Sequence, residues 1–519
     1  MAFRITYSML NADMAQVHQE FDAALTKVRA VFGADYPSWI AGRPVRSGNY
    51  LDDRNPADTR QQLAKFHKIS KQDIDTAFSA ARKAQAAWGD TPWKERVRLI
   101  NKAADLISER RMELSAIMAL EVGKNRLESL GDVEESADLL RYYGKSWEES
   151  DGFVRPLGKL SPNENTRSVL RPFGVFVVIS PFNFPLALAA GMTSAALLGG
   201  NSVILKPSQD APWCAQKLYE CYRDAGIPEG VFQLIYGTGS ELGDALTTHP
   251  ECDGIAFTGS KEVGMRIYHH FSKDYVKPCL MELGGKNPTF VCETADIDMA
   301  TDGCMRSAFG LTGQKCSALS RVYVHASRID EFLTQLVEKS RKIRVGDPTD
   351  KDVYMGPLIN ARAVDKYLGA VAQGKKDGRI LLGGEDLRKS PGFEHGHFVA
   401  PTIIQAPATS SVFEEEFFAP VLAVDTFTDL SATIARANKV PYGLTAGIFT
   451  GKKEEISLFM DRIQAGVLYA NRRTGATTGA WPGVQAFCGW KGSGSTGKGG
   501  CGPYYASQFA CEQSRTIME

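Results

Sequence analysis

The sequence predicts an α/β protein of two lobes, each built on strands that alternate with helices. Three observations carry this. Residues 73–150 keep a helical spacing of apolar side chains; short β-branched and aromatic runs then alternate with helix-length segments up to Phe257; and a second alternating series begins near Pro288. Such alternation implies parallel, doubly wound sheets. At 519 residues the chain is also too long for one ordinary domain.

Taken in order, Ile74, Phe78, Ala81, Ala84 and Trp88 recur at helical spacing, and residues 93–120 continue the pattern. Strands are expected at Ser168-Val-Leu, Val175-Phe-Val-Val-Ile, Ser202-Val-Ile-Leu, Val231-Phe-Gln-Leu-Ile and Gly254-Ile-Ala-Phe, with helices over 213–224 and 241–248. Residues 184–200 are dense in Ala and Gly but hold Pro185, Thr193 and Ser194, which reads as a tightly packed buried helix and not a membrane span. The second series comprises Arg321-Val-Tyr-Val-His, a helix over 329–343, Arg379-Ile-Leu-Leu, Val421-Leu-Ala-Val, a helix over 430–438 and Ala446-Gly-Ile-Phe. The Gly/Ser-rich stretch 489–502 is expected to be a flexible or turn-rich connection. Its Gly492-Ser-Gly-Ser-Thr-Gly-Lys matches a phosphate-binding loop in spacing, but Gly499 stands where a magnesium-binding Ser or Thr belongs.

Composition narrows the functional classes. Lys plus Arg and Asp plus Glu both number 60, so no net field favours nucleic acid or an anionic membrane. The first twenty residues show no basic segment leading into an apolar one, so a cytoplasmic protein is expected. The ten cysteines form no C-x-x-C pair and no zinc-spaced set with histidine, so neither a disulfide framework nor a metal site is expected.

Several motifs carry chemistry. Gly313-Gln-Lys-Cys-Ser places Cys316 after an expected turn, where Lys315 and neighbouring amides would favour a thiolate; a cysteine alone is more often inert. In Glu282-Leu-Gly-Gly-Lys-Asn, the glycines would allow a turn that aims Glu282 into a cavity as a general base, although a Glu beside Gly-Gly is ordinarily a solvated turn residue. Pro181-Phe-Asn-Phe-Pro puts Asn183 at the carboxyl end of a strand, fit to donate to an oxyanion or simply to cap a turn. Gly237-Thr-Gly-Ser-Glu-Leu-Gly is a weak dinucleotide signal, whereas Phe257-Thr-Gly-Ser runs from a strand into a helix whose free amides suit a phosphate.

Together and in order, Pro181-Phe-Asn-Phe-Pro, Lys206-Pro-Ser, Phe257-Thr-Gly-Ser, Glu282-Leu-Gly-Gly-Lys-Asn, Gly313-Gln-Lys-Cys, Glu415-Glu-Phe-Phe-Ala-Pro and Pro441-Tyr-Gly-Leu-Thr resemble the aldehyde dehydrogenase superfamily from about residue 37 onward. The resemblance implies a Rossmann-type cofactor domain (1–148 and 171–280), an α/β catalytic domain (281–480) and a small β-extension (149–170 and 481–519) that builds homodimers or higher homo-oligomers. It makes Cys316 the nucleophile, Glu282 the general base, and Asn183 with the Cys316 amide the oxyanion hole. It assigns NAD, with NADP possible, to Ser180, Phe182, Lys206, Ser208, Gln209, Gly237, Gly259, Ser260, Leu283, Glu416 and Phe418. Gln209, often Glu in NAD-preferring relatives, does not repel a 2′-phosphate. Ala419 departs from the usual Gly. A silent relative would be expected to lack Cys316, Glu282 or Asn183, and all three are present.

Within the superfamily, Glu121-Val-Gly-Lys-Asn, Gly313-Gln-Lys-Cys-Ser-Ala, Asn471-Arg-Arg and Gly479-Ala followed by Gly483-Val-Gln are similar to the branch that oxidises L-glutamate γ-semialdehyde, with another carboxylated or aliphatic semialdehyde as the alternative substrate. That likeness implies Phe184, Ser317, Gly479, Ala480 and Phe487 as substrate contacts. An insertion between Asn471 and Gln485 creates two Thr-Gly-Ala copies, so either Gly475-Ala476 or Gly479-Ala480 is the carboxylate anchor. Gln-Ala-Phe-Cys-Gly replaces the branch's usual Gln-Pro-Phe-Gly-Gly.

Overall fold

The computed structural model describes residues 15–273 and 275–519. The expectation about a leader, and the first part of the 1–148 segment, rest on residues 1–14 and lie outside the described residues.

The helical layer forms as expected, as Lys71–Asp90, Trp93–Glu109, Arg111–Val122 and Arg126–Glu149, with Ala15–Arg29 added in front. Ser70 and Asp73 cap the first of these reciprocally, and its periodic residues Ile74, Phe78, Ala81 and Trp88 are buried. Trp88 Nε1 donates to the Leu197 carbonyl at 3.0 Å, tying this layer to helix Ala187–Leu198. Apart from Leu188, every residue of that Ala-rich helix is buried. Among the described residues no helix is long and apolar enough to cross a membrane.

The first large sheet runs in the order Cys279–Glu282, Gly254–Thr258, Val175–Ile179, Ser202–Lys206, Phe232–Leu234, all parallel, and ends with the antiparallel pair Ser38–Ile40 and Arg43–Val45. The chain starts at Val175–Ile179, winds outward to one side, then returns and winds to the other. That strand therefore flanks a topological switch point, where open sheets bind ligands outside their carboxyl ends. The second sheet runs Arg379–Leu382, Thr402–Gln405, Val421–Phe427, Leu319–His325, Asn287–Val291, Thr445–Phe449, Val467–Ala470, antiparallel only at its first pair.

A small antiparallel sheet pairs Ala510–Met518 with Glu164–Pro172 along their whole length, and the latter with Val154–Pro156. Another, of Ala34–Tyr36, Gln62–His67 and Tyr50–Arg54, was not foreseeable from spacing, because its strands are short and Ala34–Tyr36 pairs with a segment 30 residues on, as Ala34 with Ala64.

Two boundaries differ from the sequence reading. Strand Cys279–Glu282 belongs to the first sheet, so a division after residue 280 cuts through it. Residues 489–502 are turn-rich but are no mere connection. Ser495 Oγ accepts from the Met281 amide at 3.0 Å, the Ser493 carbonyl accepts from the Leu283 amide at 2.9 Å, and Trp490–Lys491 pairs with Tyr442–Gly443. This segment closes over the end of the Glu282 strand.

One buried ion pair joins the helical layer to the site. Lys124 and Asp132, both fully buried, meet at 2.6 Å; Asp132 also accepts from the Ala187 amide at 2.8 Å, and the Lys124 ammonium lies 3.7 Å from the centre of the Phe184 ring. Removing one partner of such a pair leaves a buried charge uncompensated, at a cost of about 3–5 kcal/mol. Lys124→Met is expected to lower stability by that order in chemical denaturation, with Asp132→Asn in the same chain recovering part of it. An unchanged midpoint would show that the pair contributes nothing.

Candidate active site

Cys316 is reached through an unusual turn. After helix Ile297–Phe309, Leu311, Thr312 and Gly313 adopt φ of 48°, 53° and 67°, three successive left-handed residues. For side chains larger than glycine this costs about 1–3 kcal/mol each, and persists only where surroundings enforce it. They do. The Leu311 amide donates to Glu128 Oε1 at 2.7 Å, Thr312 Oγ1 donates to the Gly356 carbonyl at 2.9 Å, and a Cβ on Gly313 would strike the Ala419 carbonyl. Gln314, fully buried, accepts from the Ile359 amide at 2.9 Å, while its own carbonyl accepts from Asn183 Nδ2 at 3.0 Å. Beyond the thiol, Asn287 Nδ2 donates to the carbonyls of Cys316 and Ala318 at 2.7 and 2.8 Å.

Glu282 ends its strand beside this loop. Gly284 and Gly285 are not left-handed; they are glycines because a Cβ on the first would strike the Glu416 carboxylate and on the second the Cys316 carbonyl. This corrects the expectation that they make a turn to aim Glu282. The Gly285 amide donates to Glu416 Oε1 at 2.8 Å. Glu282 Oε2 is buried without a hydrogen-bond partner, and burial pushes the carboxyl up to about 8, opposed by the Gly500 amide.

Burial likewise pushes the Cys316 thiol up to about 12, with Glu416 and Glu282 adding to the shift and the Ser317 and Cys316 amides opposing it. Lys315 supplies the expected field only in part: its buried ammonium lies 3.8 Å from Glu128, its interaction with Cys316 is weaker than that with Glu128, and burial lowers its own basicity.

Glu282, Cys316, Ser317, Phe184, Gly479, Ala480 and Phe487 line one cavity of about 400 Å³. Gly475 and Ala476 stand outside it; Ala476 is buried, its amide donating to the Gly303 carbonyl at 3.1 Å. Asn183 is buried and is not among the lining residues; one of its two amide hydrogens is engaged by the Gln314 carbonyl, which leaves the second unassigned.

The remaining candidates cluster at the carboxyl ends of the first sheet. Ser180 and Phe182 follow Val175–Ile179; Lys206 ends its strand, with Ser208 and Gln209 next; Gly237 follows Phe232–Leu234; Gly259 and Ser260 follow Gly254–Thr258; Leu283 follows Cys279–Glu282. Glu416 and Phe418 approach from the second lobe, where Phe418 has a φ of 54° and packs edge-on against Phe182 at 5.9 Å. Ser260 caps helix Lys261–Phe271. The Ser180 hydroxyl is buried without a partner, and the buried Lys206 ammonium, pushed down to about 8 by burial, donates only to the Pro207 carbonyl at 3.0 Å. Unused donors beside a helix N-terminus at a switch point fit an oxygen-rich ligand such as a nucleotide.

Sequence reasoning missed two structural roles. Asn287 was visible only as the last letter of its motif, and Glu128, which holds both the Leu311 amide and Lys315, sits in an unmarked helix. Their partners are 29 and 183 residues away along the chain.

A model of the aldehyde dehydrogenase family matches residues 44–513. The chain is 36% identical over 505 residues to 1-pyrroline-5-carboxylate dehydrogenase 1 of Halalkalibacterium halodurans, and 37% identical over 506 residues to 1-pyrroline-5-carboxylate dehydrogenase of Bacillus cytotoxicus, with 96% of each chain covered in both cases. It is similar to a crystal structure of 1-pyrroline-5-carboxylate dehydrogenase from Thermus with bound NAD, with a TM-score of 0.94 and 34% identity, covering 100% of this chain and 99% of that one. Betaine aldehyde dehydrogenase from Staphylococcus aureus, in complex with NAD+, is similar at a TM-score of 0.89 and 27% identity, covering 96% and 97%.

Proposed function

The chain belongs to the aldehyde dehydrogenase family, and from that premise we propose that it oxidises L-glutamate γ-semialdehyde, formed from 1-pyrroline-5-carboxylate, to L-glutamate, with NAD as oxidant and NADP tolerated. The observation that carries this reading is one cavity shared by a thiol, a carboxyl raised toward neutrality and a Ser317–Gly479–Ala480 wall suited to a carboxylate.

Cys316 Sγ bonds to the aldehyde carbon while its proton leaves to a carboxylate or water. The second amide hydrogen of Asn183 and the Cys316 backbone amide stabilise the resulting oxyanion; one such donor is worth roughly 10²-fold to 10³-fold in rate. A nicotinamide held at the switch point by residues such as Lys206, Ser260 and Glu416 would accept hydride from the former aldehyde carbon, and loss of that C–H bond as the oxyanion collapses would leave a thioester on Cys316. Glu282 then takes a proton from water, the hydroxide adds to the thioester carbon, and the Cys316 sulfur leaves. A transfer of the acyl group to another acceptor needs no such base, so Glu282 favours hydrolysis. Gln209 is neutral and leaves room for a 2′-phosphate.

NADH and NADPH formation with 1-pyrroline-5-carboxylate, succinic semialdehyde and an uncarboxylated aldehyde tests the reading, with Cys316→Ala in parallel. Preference for 1-pyrroline-5-carboxylate, lost in the variant, is expected; preference for succinic semialdehyde would overturn the substrate, and undiminished turnover by Cys316→Ala the mechanism. A lower KM for NADP would reverse the cofactor order.

Because the Glu282 carboxyl is raised, it is protonated and unable to act as a base below about 8. Turnover limited by hydrolysis of the thioester should therefore rise with pH through that region, and Glu282→Gln should abolish both most of the rate and the rise. A variant that keeps the same pH limb would assign it to another group.

The same reading makes the protein a homodimer or higher homo-oligomer of the cytoplasm. Strand Ala510–Met518 leaves one edge unpaired and Ile517 and Met518 exposed, a surface that a second copy would cover. Ten free cysteines fit a reducing compartment, which cell fractionation checks. Light scattering should give a multiple of the chain mass that falls on removing residues 510–519; a monomeric full chain would overturn the assembly.

A further inference from the structure

We propose that Arg472 is the residue that sets the substrate's carboxylate anchor, by holding the carbonyls of the anchor loop from behind so that the Gly479 amide is presented to the cavity. This rests on the substrate reading above and deepens it.

The Arg472 guanidinium does not line the cavity; Thr478, Gly479 and Ala480 do. Arg472 Nη1 donates to the Thr478 carbonyl and, at 3.4 Å, to that of Gly475, and Nη2 donates to the Gly479 carbonyl at 3.5 Å. In a trans peptide the N–H points opposite to the C=O of the same unit. A cation that draws the Thr478 carbonyl toward itself therefore turns the Gly479 N–H away from itself, to the side where Ser317 stands. The Ala480 amide lies against the Tyr469 hydroxyl, and the Tyr469 ring carries the guanidinium at 5.1 Å. Gly479 has a φ of 114°, which favours glycine, and a Cβ there would meet the guanidinium, so the guanidinium keeps its present place only while position 479 is glycine.

The loop is also tied to the nucleophile. Thr477 Oγ1 donates to the Ser317 carbonyl at 2.8 Å, and the Thr477 amide to Ser307 Oγ at 3.2 Å. Anchor and thiol thus sit at a fixed separation, which selects an aldehyde whose carboxylate lies a matching number of carbons away. A planar fork meeting several carbonyls is a task for arginine that lysine does not perform.

The test compares kcat/KM for 1-pyrroline-5-carboxylate with that for propanal, which has no carboxylate, in the full chain with NAD. Arg472→Met is expected to reduce the ratio at least tenfold, mainly through KM for the carboxylated substrate, while propanal changes less than threefold. Arg472→Lys, which keeps the charge without the fork, is expected to fall in the same direction and carries the comparison if the first variant fails to fold. Equal loss on both aldehydes, or an unchanged ratio, overturns the positioning role. A wild-type chain with no preference for the carboxylated aldehyde overturns the substrate reading, and this inference with it.

Discussion

The arrangement of the site depends on the amide of Asn287. Its strand lies between the two strands that follow the nucleophile loop and precede the end of the second lobe, and its side chain binds both sides at once. Nδ2 reaches the Cys316 and Ala318 carbonyls, and Oδ1 accepts from the Thr445 amide at 3.0 Å. A buried amide with these bonds made is stabilising, whereas leaving the carbonyls unpaired costs about 1–3 kcal/mol each. Because Asn287 stands five residues after Glu282, the strand that fixes the Cys316 carbonyl begins just after the strand that ends at Glu282, and the short link between them joins the two sheets.

The close approach of these two segments explains two otherwise costly choices. Gly284 and Gly285 give up side-chain packing so that Glu416 and the Cys316 carbonyl can lie against bare backbone. The two non-glycine left-handed residues before the thiol, Leu311 and Thr312, give up about 1–3 kcal/mol each of backbone preference, offset by burial of Leu311 and by the bonds to Glu128 and Gly356. Neither choice makes sense as local structure; both follow from fitting the nucleophile loop against two other segments.

Most of the fold was legible because its signal is local. Helices such as Lys71–Asp90 announce themselves by apolar period and cap, and the buried parallel strands by short β-branched runs. The candidate residues were legible as motifs, and the structure brings seven of them to one cavity. What the sequence hid was pairing across distance: the sheet of Ala34–Tyr36, Gln62–His67 and Tyr50–Arg54, the closure of 489–502 over Glu282, and the turning of Lys315 toward Glu128. Lys315 is adjacent to Cys316 in the chain, but its ammonium interacts more with Glu128, so the field that adjacency suggested is reduced. The choice between two Thr-Gly-Ala copies was likewise beyond spacing, since both have the same residues, and the cavity wall takes Thr474 alone from the first but Thr478, Gly479 and Ala480 from the second.

Charge sets the order of events. Burial pushes Glu416 up to about 6, Glu282 to about 8 and the Cys316 thiol to about 12, and the two carboxylates add to the thiol's shift. In so dry a site each negative charge makes the next harder to form. Lys286 compensates only in part: its buried ammonium lies over the Phe417 ring at 4.7 Å, and burial pulls it down to about 7. The Cys316 thiolate is therefore easiest to form when Glu282 holds a proton. The two groups cannot comfortably be charged together. In the proposed thioester the sulfur carries no charge, so a Glu282 carboxylate formed to activate water has no thiolate beside it. Under the proposed mechanism one negative charge alternates between the two buried groups, so each acts while the other is not an anion.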